Sequence, residues 1–218
     1  MSGACASRAS RASRVATIAM IAALAAANVP AALAASLPAA STAATGPAQP
    51  AVGMAAVMRL LAARRHRRAT FTETQRLAVL DRPIESAGEL IYDAPGRLEE
   101  RLRAPRRESL IVDGDRMIVE RGGRRRVLAL SRSDGLATLI GSLRATFAGD
   151  EAALGREFFV AFQGDIDHWS MRLEPRSAAL AGRVAAIRID GARGTLRRIV
   201  IRGTNGDRSV MRLSESAP

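Results

Sequence analysis

The sequence predicts a mainly β (α+β) fold: one curved antiparallel sheet of ten or eleven strands with two or three helices on one face. Three observations predict it. Short runs that alternate apolar and charged residues recur about every ten positions after Phe71, separated by tight-turn chemistry. Two stretches instead repeat apolar residues at helical spacing. The chain has 218 residues, 48% of them apolar, with mean hydropathy +0.02, which is the composition of one globular domain with a tail.

The elements begin after a leader. Residues 1 to 50 contain 20 Ala and no acidic residue, whereas all 21 carboxylates lie beyond Gly53. Arg8, Arg11 and Arg14 make a positive n-region, Val15 to Ala27 an apolar h-region, and Ala32-Leu33-Ala34 a small-x-small cleavage site. Residues 1–34 therefore read as a Sec-type signal peptide, cut at Ala34 or Ala35. The rival, a membrane anchor, is short of the roughly 20 apolar residues that span a bilayer. Export to the periplasm is the expectation. Residues 35–51 hold an uncharged Ala/Pro-rich tether that cannot bury a core, and the folded domain is expected over 52–214. Cys5 is the only cysteine, so neither a disulfide within the chain nor a cysteine-based zinc site is available.

The first element is a helix over Val52 to Arg65, where Val57, Leu60, Leu61 and Arg64 follow helical spacing. Its basic end holds Arg64, Arg65, Arg67 and Arg68. That run is either a solvated helix end complementing the macrodipole or a docking patch for anionic lipid or a partner.

From Phe71 to Ser131 the turns Asp93-Ala94-Pro95-Gly96, Asp113-Gly114-Asp115 and Gly122-Gly123 separate consecutive antiparallel strands. Leu98, Glu100 and Leu102 alternate with Arg97, Glu99 and Arg101; Met117 and Val119 alternate with Arg116, Ile118 and Glu120. One face is mostly apolar and the other mostly charged. A second helix follows. Ser133 and Asp134 cap its start, Leu136, Leu139, Ile140, Leu143 and Phe147 form its apolar stripe, and Gly149 stops it. Glu151 to Arg156 add a turn or two. Strands resume at Phe158 to Gln163, Trp169 to Leu173, Ile187 to Asp190, Leu196 to Arg202 and Val210 to Leu213, with Asn205-Gly206 as a hairpin turn.

The order of a short helix, Ala69-Thr70-Phe71-Thr72-Glu73, Ser86 to Leu98 and Ile111 to Met117 resembles the LolA family of periplasmic outer-membrane lipoprotein carriers. Leu143 to Asp150, Gly164 to Trp169 and Gly206 to Met211 resemble a divergent LolA-like branch. The resemblance implies an unclosed half-barrel whose concave apolar face is covered by a helical lid, with a cavity for acyl chains. It also implies an acylated lipoprotein or lipid as cargo, an inner-membrane exporter and an outer-membrane acceptor as partners, transient contact with membrane surfaces, and a monomer without a cofactor. The lid's inner face is then Leu136, Leu139, Ile140, Leu143 and Phe147. Leu90, Tyr92, Leu98, Leu102, Leu110, Val112, Met117, Val119, Phe158, Val160, Phe162, Trp169, Met171 and Leu173 line or support the cavity. The alternative for each is an ordinary core residue. Two positions depart from the better-known carriers: Ala94 stands where an Arg precedes the Pro and helps latch the lid, and Phe71-Thr72-Glu73 stands for Phe-x-Gln. The branch looks linked to other envelope lipids of the aryl polyene type, so an accessory or sensor protein of such a system is the second reading.

Other classes fare worse. Asp165, Asp167 and His168 are the one cluster of acids with a His, but no nucleophile elbow, phosphate loop or His-Glu-x-x-His accompanies them, and two His exclude a histidine-rich metal site. No enzyme is expected. All 33 basic residues are Arg and the formal charge is +12, yet Arg alternates with Glu along strands and only seven residues are aromatic, which disfavours nucleic acid.

Overall fold

The computed structural model describes residues 50–132 and 134–215. The expected signal peptide and nearly all of the tether lie outside the described residues, as do Cys5 and the cap residue Ser133. The elements are α1 (Pro50–Ala62), β1 (His66–Arg76), β2 (Ile84–Asp93), β3 (Arg97–Ala104), β4 (Glu108–Asp113), β5 (Arg116–Arg121), β6 (Arg124–Ala129), a 3-10 turn (Leu130–Arg132), α2 (Asp134–Ala148), α3 (Glu151–Glu157), β7 (Phe158–Gly164), β8 (Trp169–Pro175), α4 (Ala178–Ala181), β9 (Val184–Ala192), β10 (Thr195–Gly203) and β11 (Arg208–Glu215).

All 11 strands lie in one antiparallel sheet, in the order β6-β5-β4-β3-β2-β1-β11-β10-β9-β8-β7. The topology follows from the short turns. The chain starts at the centre in β1, walks outward by hairpins to the edge at β6, crosses in α2 and α3, and returns from the opposite edge at β7 to pair β11 with β1. The edges β6 and β7 are not paired with each other, so the barrel is unclosed. Three successive Arg, Arg124 to Arg126, lie exposed on β6, a charge load that discourages edge-to-edge pairing.

The helices cover one face. Leu136, Leu139, Ile140, Leu143 and Phe147 of α2, Met54, Val57, Met58 and Leu61 of α1, Leu154 of α3 and Leu180 of α4 join the inward strand residues in one buried cluster. Asp150 caps α3 by accepting from the Ala153 N–H. Gly149 ends α2 at φ +66°, and α1 packs so closely there that a Cβ would lie 2.1 Å from the Met58 carbonyl oxygen.

Two expectations are corrected. The first helix ends at Ala62, and His66, Arg67 and Arg68 already belong to β1, which begins five residues earlier than expected. The basic run therefore crosses from a loop into the sheet and does not prolong the helix. The short helix α4 was missed, because Ala178–Ala181 is too brief to show a period.

Candidate functional site

The inward face of the sheet is read row by row from the register. Arg67, Tyr92, Leu98, Val112, Met117 and Leu128 lie opposite one another across β1 to β6. The next row runs Ala69, Leu90, Glu100, Leu110, Val119 and Arg126. Phe71, Gly88, Leu102, Glu108, Arg121 and Arg124 follow. The surface thus grades from apolar beneath the lid to charged at the edge near β6. On the other half, Met171, Ile189, Ile199 and Met211 make one row, and Leu173, Ile187, Ile201 and Ser209 another.

The structure brings the expected set together. Leu90, Tyr92, Leu98, Leu102, Leu110, Val112, Met117, Phe158, Phe162, Trp169, Met171 and Leu173 are buried in the same cluster as the five α2 residues, and Val119 and Val160 pack against it. Sequence reasoning missed Phe71, Ile187, Ile189, Ile199, Ile201, Met211 and Leu213, buried in the same cluster. Their signal was present, since each pair on β9, β10 and β11 repeats with period two.

It also missed a polar patch on the inner face. The buried Glu73 carboxylate accepts from the Ser209 hydroxyl at 2.5 Å and from the Ser86 hydroxyl at 3.1 Å. Gln75, fully buried, has neither amide atom paired within the protein. Glu100 is buried between Leu98 and Leu102, on the mostly apolar face where its alternation put it.

Two arginines tie the helices to the sheet. Arg67 Nη2 donates to the Leu61 carbonyl at the end of α1 (2.5 Å), and Nη1 donates to the Gly194 carbonyl (2.7 Å) and lies 3.5 Å from Glu215 Oε1. Its guanidinium carbon sits 5.9 Å from the centre of the Phe147 ring, which stacks on Tyr92. Burial lowers the Arg67 pKa against the opposing pull of Glu215. This corrects the docking assignment: Arg67 is 4% exposed and cannot present its charge to a lipid surface. Arg64 is committed to Glu215 at 2.6 Å, leaving Arg65 and Arg68 exposed. On the lid, Arg144 Nη1 donates to the Gly114 carbonyl of the β4–β5 turn at 2.9 Å, and desolvation lowers its pKa. Burial raises the Tyr92 pKa. With Ala94 in the second turn, the sheet-to-lid ties come from Arg67 and Arg144.

The acid–His cluster forms a turn. Asp165 Oδ1 accepts from the Asp167 and His168 N–H groups, both at 2.9 Å, and these bonds, His168 first, hold its carboxyl below the usual range. Asp167 pairs with Arg193 at 2.9 Å, and His168 is exposed. Among the described residues no group of three His, Cys, Asp or Glu is placed to hold a metal, and no helix is long and apolar enough to cross a membrane.

The family model for outer membrane lipoprotein carrier protein LolA-like matches residues 44–217. The chain belongs to this LolA-like family. No curated protein sequence matches it. Similar solved structures include a LolA superfamily protein from Nitrosomonas europaea, 10% identical over 78% of this chain and 96% of that one, with TM-score 0.43. Lipoprotein LppX from Mycobacterium tuberculosis is 11% identical over 77% and 97%, with TM-score 0.39. MucB in its Pseudomonas aeruginosa complex with MucA is 15% identical over 75% and 57%, with TM-score 0.35.

Proposed function

We propose that this LolA-like chain is a periplasmic carrier that takes the acyl chains of a lipoprotein or lipid between its sheet and its helical lid and moves them toward the outer membrane. One observation carries the reading. The inner face presents buried apolar residues from ten strands, β1 to β5 and β7 to β11, and the α2–α3 crossover that joins the two sheet edges supplies the larger part of its helical cover. Such a cover can lift without unzipping the ladder. Burial of about 0.8 kcal/mol per methylene makes a dozen methylenes worth on the order of 10 kcal/mol before ordering costs. That gain offsets the separation of the lid from the core. Leu136, Leu139, Ile140, Leu143 and Phe147 then trade contact with the sheet for contact with the acyl chain. Release requires a partner, an exporter at the inner membrane for loading and an acceptor at the outer membrane for unloading. No residue acts as a catalyst in this scheme.

Mass spectrometry of lipid extracts from protein purified out of the periplasm tests the reading and identifies the cargo. Recovery of an acyl lipid or acylated peptide, together with saturable binding of a fluorescent fatty acid, is the expected result. Extracts free of acyl species and no binding of the probe would sink the carrier. The second reading, an accessory or sensor protein of an aryl polyene-type system, is favoured by Ala94, which removes the usual latch. An aryl polyene lipid as the copurifying species identifies it.

A further inference from the structure

The convex face of the sheet is divided in its electrostatics. On β2 to β6 its cations meet acids: Arg103 with Glu89 at 2.7 Å, Arg101 with Glu99 at 2.5 Å, Arg97 with Asp113 at 3.6 Å and Arg125 with Glu120 at 3.6 Å. The central strands β1, β11 and β10 are different. Their outward positions carry Arg68, Arg76, Arg208, Arg212, Arg198 and Arg202 and no carboxylate. The register places like charges directly opposite one another: Arg198 against Arg212, and Arg202 against Arg208, which in turn faces Arg76.

Like charges opposed across a ladder destabilise a sheet. The nearby acids do not relieve them. Asp190 on β9 is shared between Arg188 at 2.7 Å and Arg198 at 3.9 Å. Glu85 and Glu89 of β2 face Thr74 and Thr70. The Nε atoms of Arg198 and Arg208 are buried without a protein partner. Arg202, Arg208 and Arg212 make no ion pair among the described residues.

We propose that this ridge docks on an anionic lipid bilayer. The argument for a bilayer is shape. The six Arg occupy the middle of an 11-stranded sheet, the crest of its helix-free face, where a flat surface makes first contact. The outward residues between them are Thr70, Thr72, Thr74, Val200, Val210 and Ser214, which offer no aromatic ring for stacking bases. Among these small side chains Arg68, Arg76, Arg202 and Arg212 are exposed, and Arg198 and Arg208 are half-buried beside them. Phosphate oxygens of the headgroups supply the missing acceptors and neutralise the opposed pairs. The helical lid, on the opposite face, stays turned toward water. The inference does not rest on the acyl-carrier reading, because vesicle binding and fatty-acid binding are measured separately.

The test is co-sedimentation of the protein, as it accumulates in cells, with vesicles of phosphatidylethanolamine containing about 30 mol % phosphatidylglycerol, and with phosphatidylcholine vesicles. Each cation near an anionic surface is worth about fivefold in partition. Arg198→Gln, Arg202→Gln, Arg208→Gln and Arg212→Gln together are expected to lower partition into anionic vesicles by more than about tenfold, without lowering the unfolding midpoint. The single Arg208→Gln is expected to lower it about fivefold should the fourfold variant fold poorly. A control with the same charge loss on the paired half, Arg97→Gln, Arg101→Gln, Arg103→Gln and Arg125→Gln, is expected to change it by less than about threefold. Equal losses in both variants, equal binding to neutral vesicles, or ridge-dependent binding of RNA or polyglutamate with none to vesicles would overturn the proposal.

Discussion

Tyr92 of β2 and Phe147 of α2 stack with ring centroids 5.3 Å apart and planes inclined by 16°. Tyr92 belongs to the sheet and Phe147 to the last turn of the lid helix, so the pair fastens the crossover to the inner face. An offset-stacked pair contributes about 0.5–1.5 kcal/mol beyond its area burial. Phe147→Ala removes both and is expected to cost about 3–5 kcal/mol in urea unfolding. Phe147→Leu keeps most of the area and is expected to cost less than half as much. Equal losses for Ala and Leu would show that area is not what Phe147 supplies.

Arg67 extends that fastening to α1. With one guanidinium it satisfies the Leu61 carbonyl, the Gly194 carbonyl and Glu215, in a position where it is 4% exposed. Removing one partner of a buried charge pair costs about 3–5 kcal/mol. Arg67→Met is expected to fall in that range. Arg67→Lys rescues little of it, because a point-charge ammonium cannot span acceptors set in a fork. Hydrogen exchange would show the loss first in the amides of α1. A variant with wild-type protection there overturns the assignment.

How much of this was legible depended on whether a period was long enough to read. The α2 stripe from Leu136 to Phe147 and the turns at Asp93-Ala94-Pro95-Gly96 and Asn205-Gly206 carry local signals, and each marks an element or turn where expected. The inward sets of β9 to β11 obey the same alternation but were passed over as site residues, since Ile and Met there are also what any core contains. Arg67 was read as surface for a different reason. It follows Arg64 and Arg65 in an unbroken basic run, and only the tertiary register, which turns alternate β1 residues inward, separates it from Arg68. Glu73 and Gln75 were hidden in the same way. The partners of Glu73, Ser86 and Ser209, stand on neighbouring strands 13 and 136 residues away in sequence.

Gln75 provides a test whose sign runs against intuition for a polar residue. Its amide is fully buried, with neither atom paired within the protein. A buried group without a partner costs about 1–3 kcal/mol. Gln75→Leu is therefore expected to stabilise by about 1 kcal/mol or more and raise the thermal midpoint. A lowered midpoint would mean that an ordered water or a ligand group completes the amide in solution.

At the junction of α1 with the lid, Gly149 holds φ +66° and a Cβ there would lie 2.1 Å from the Met58 carbonyl oxygen. Both the left-handed backbone and the close approach exclude a side chain. Gly149→Ala is expected to destabilise by more than about 1 kcal/mol. The damage should concentrate in α1, which must move back from the lid. Its amides should exchange faster while those of the β10 and β11 ladder stay protected. Uniform loss across the sheet would contradict a local clash.

The two arginines that fasten the helices should part under the same substitution. Arg144 donates to the Gly114 carbonyl through Nη1, but its Nε and Nη2 are buried without a protein partner, and desolvation is the main influence on its pKa. The nearby Asp113 pulls the other way without an ion pair to Arg144 among the described residues. Two buried donors without partners on a half-buried cation each carry a desolvation cost of about 1 kcal/mol or more, which an apolar chain of similar length removes. Arg144→Met is thus expected to leave the unfolding midpoint unchanged or raise it, whereas Arg67→Met lowers it. If the lid must lift for an acyl chain to enter, the tighter seat of Arg144→Met slows uptake of a fluorescent fatty acid in stopped-flow mixing. Faster uptake with a lower midpoint would instead identify the Gly114 bond as the tie that holds the lid down.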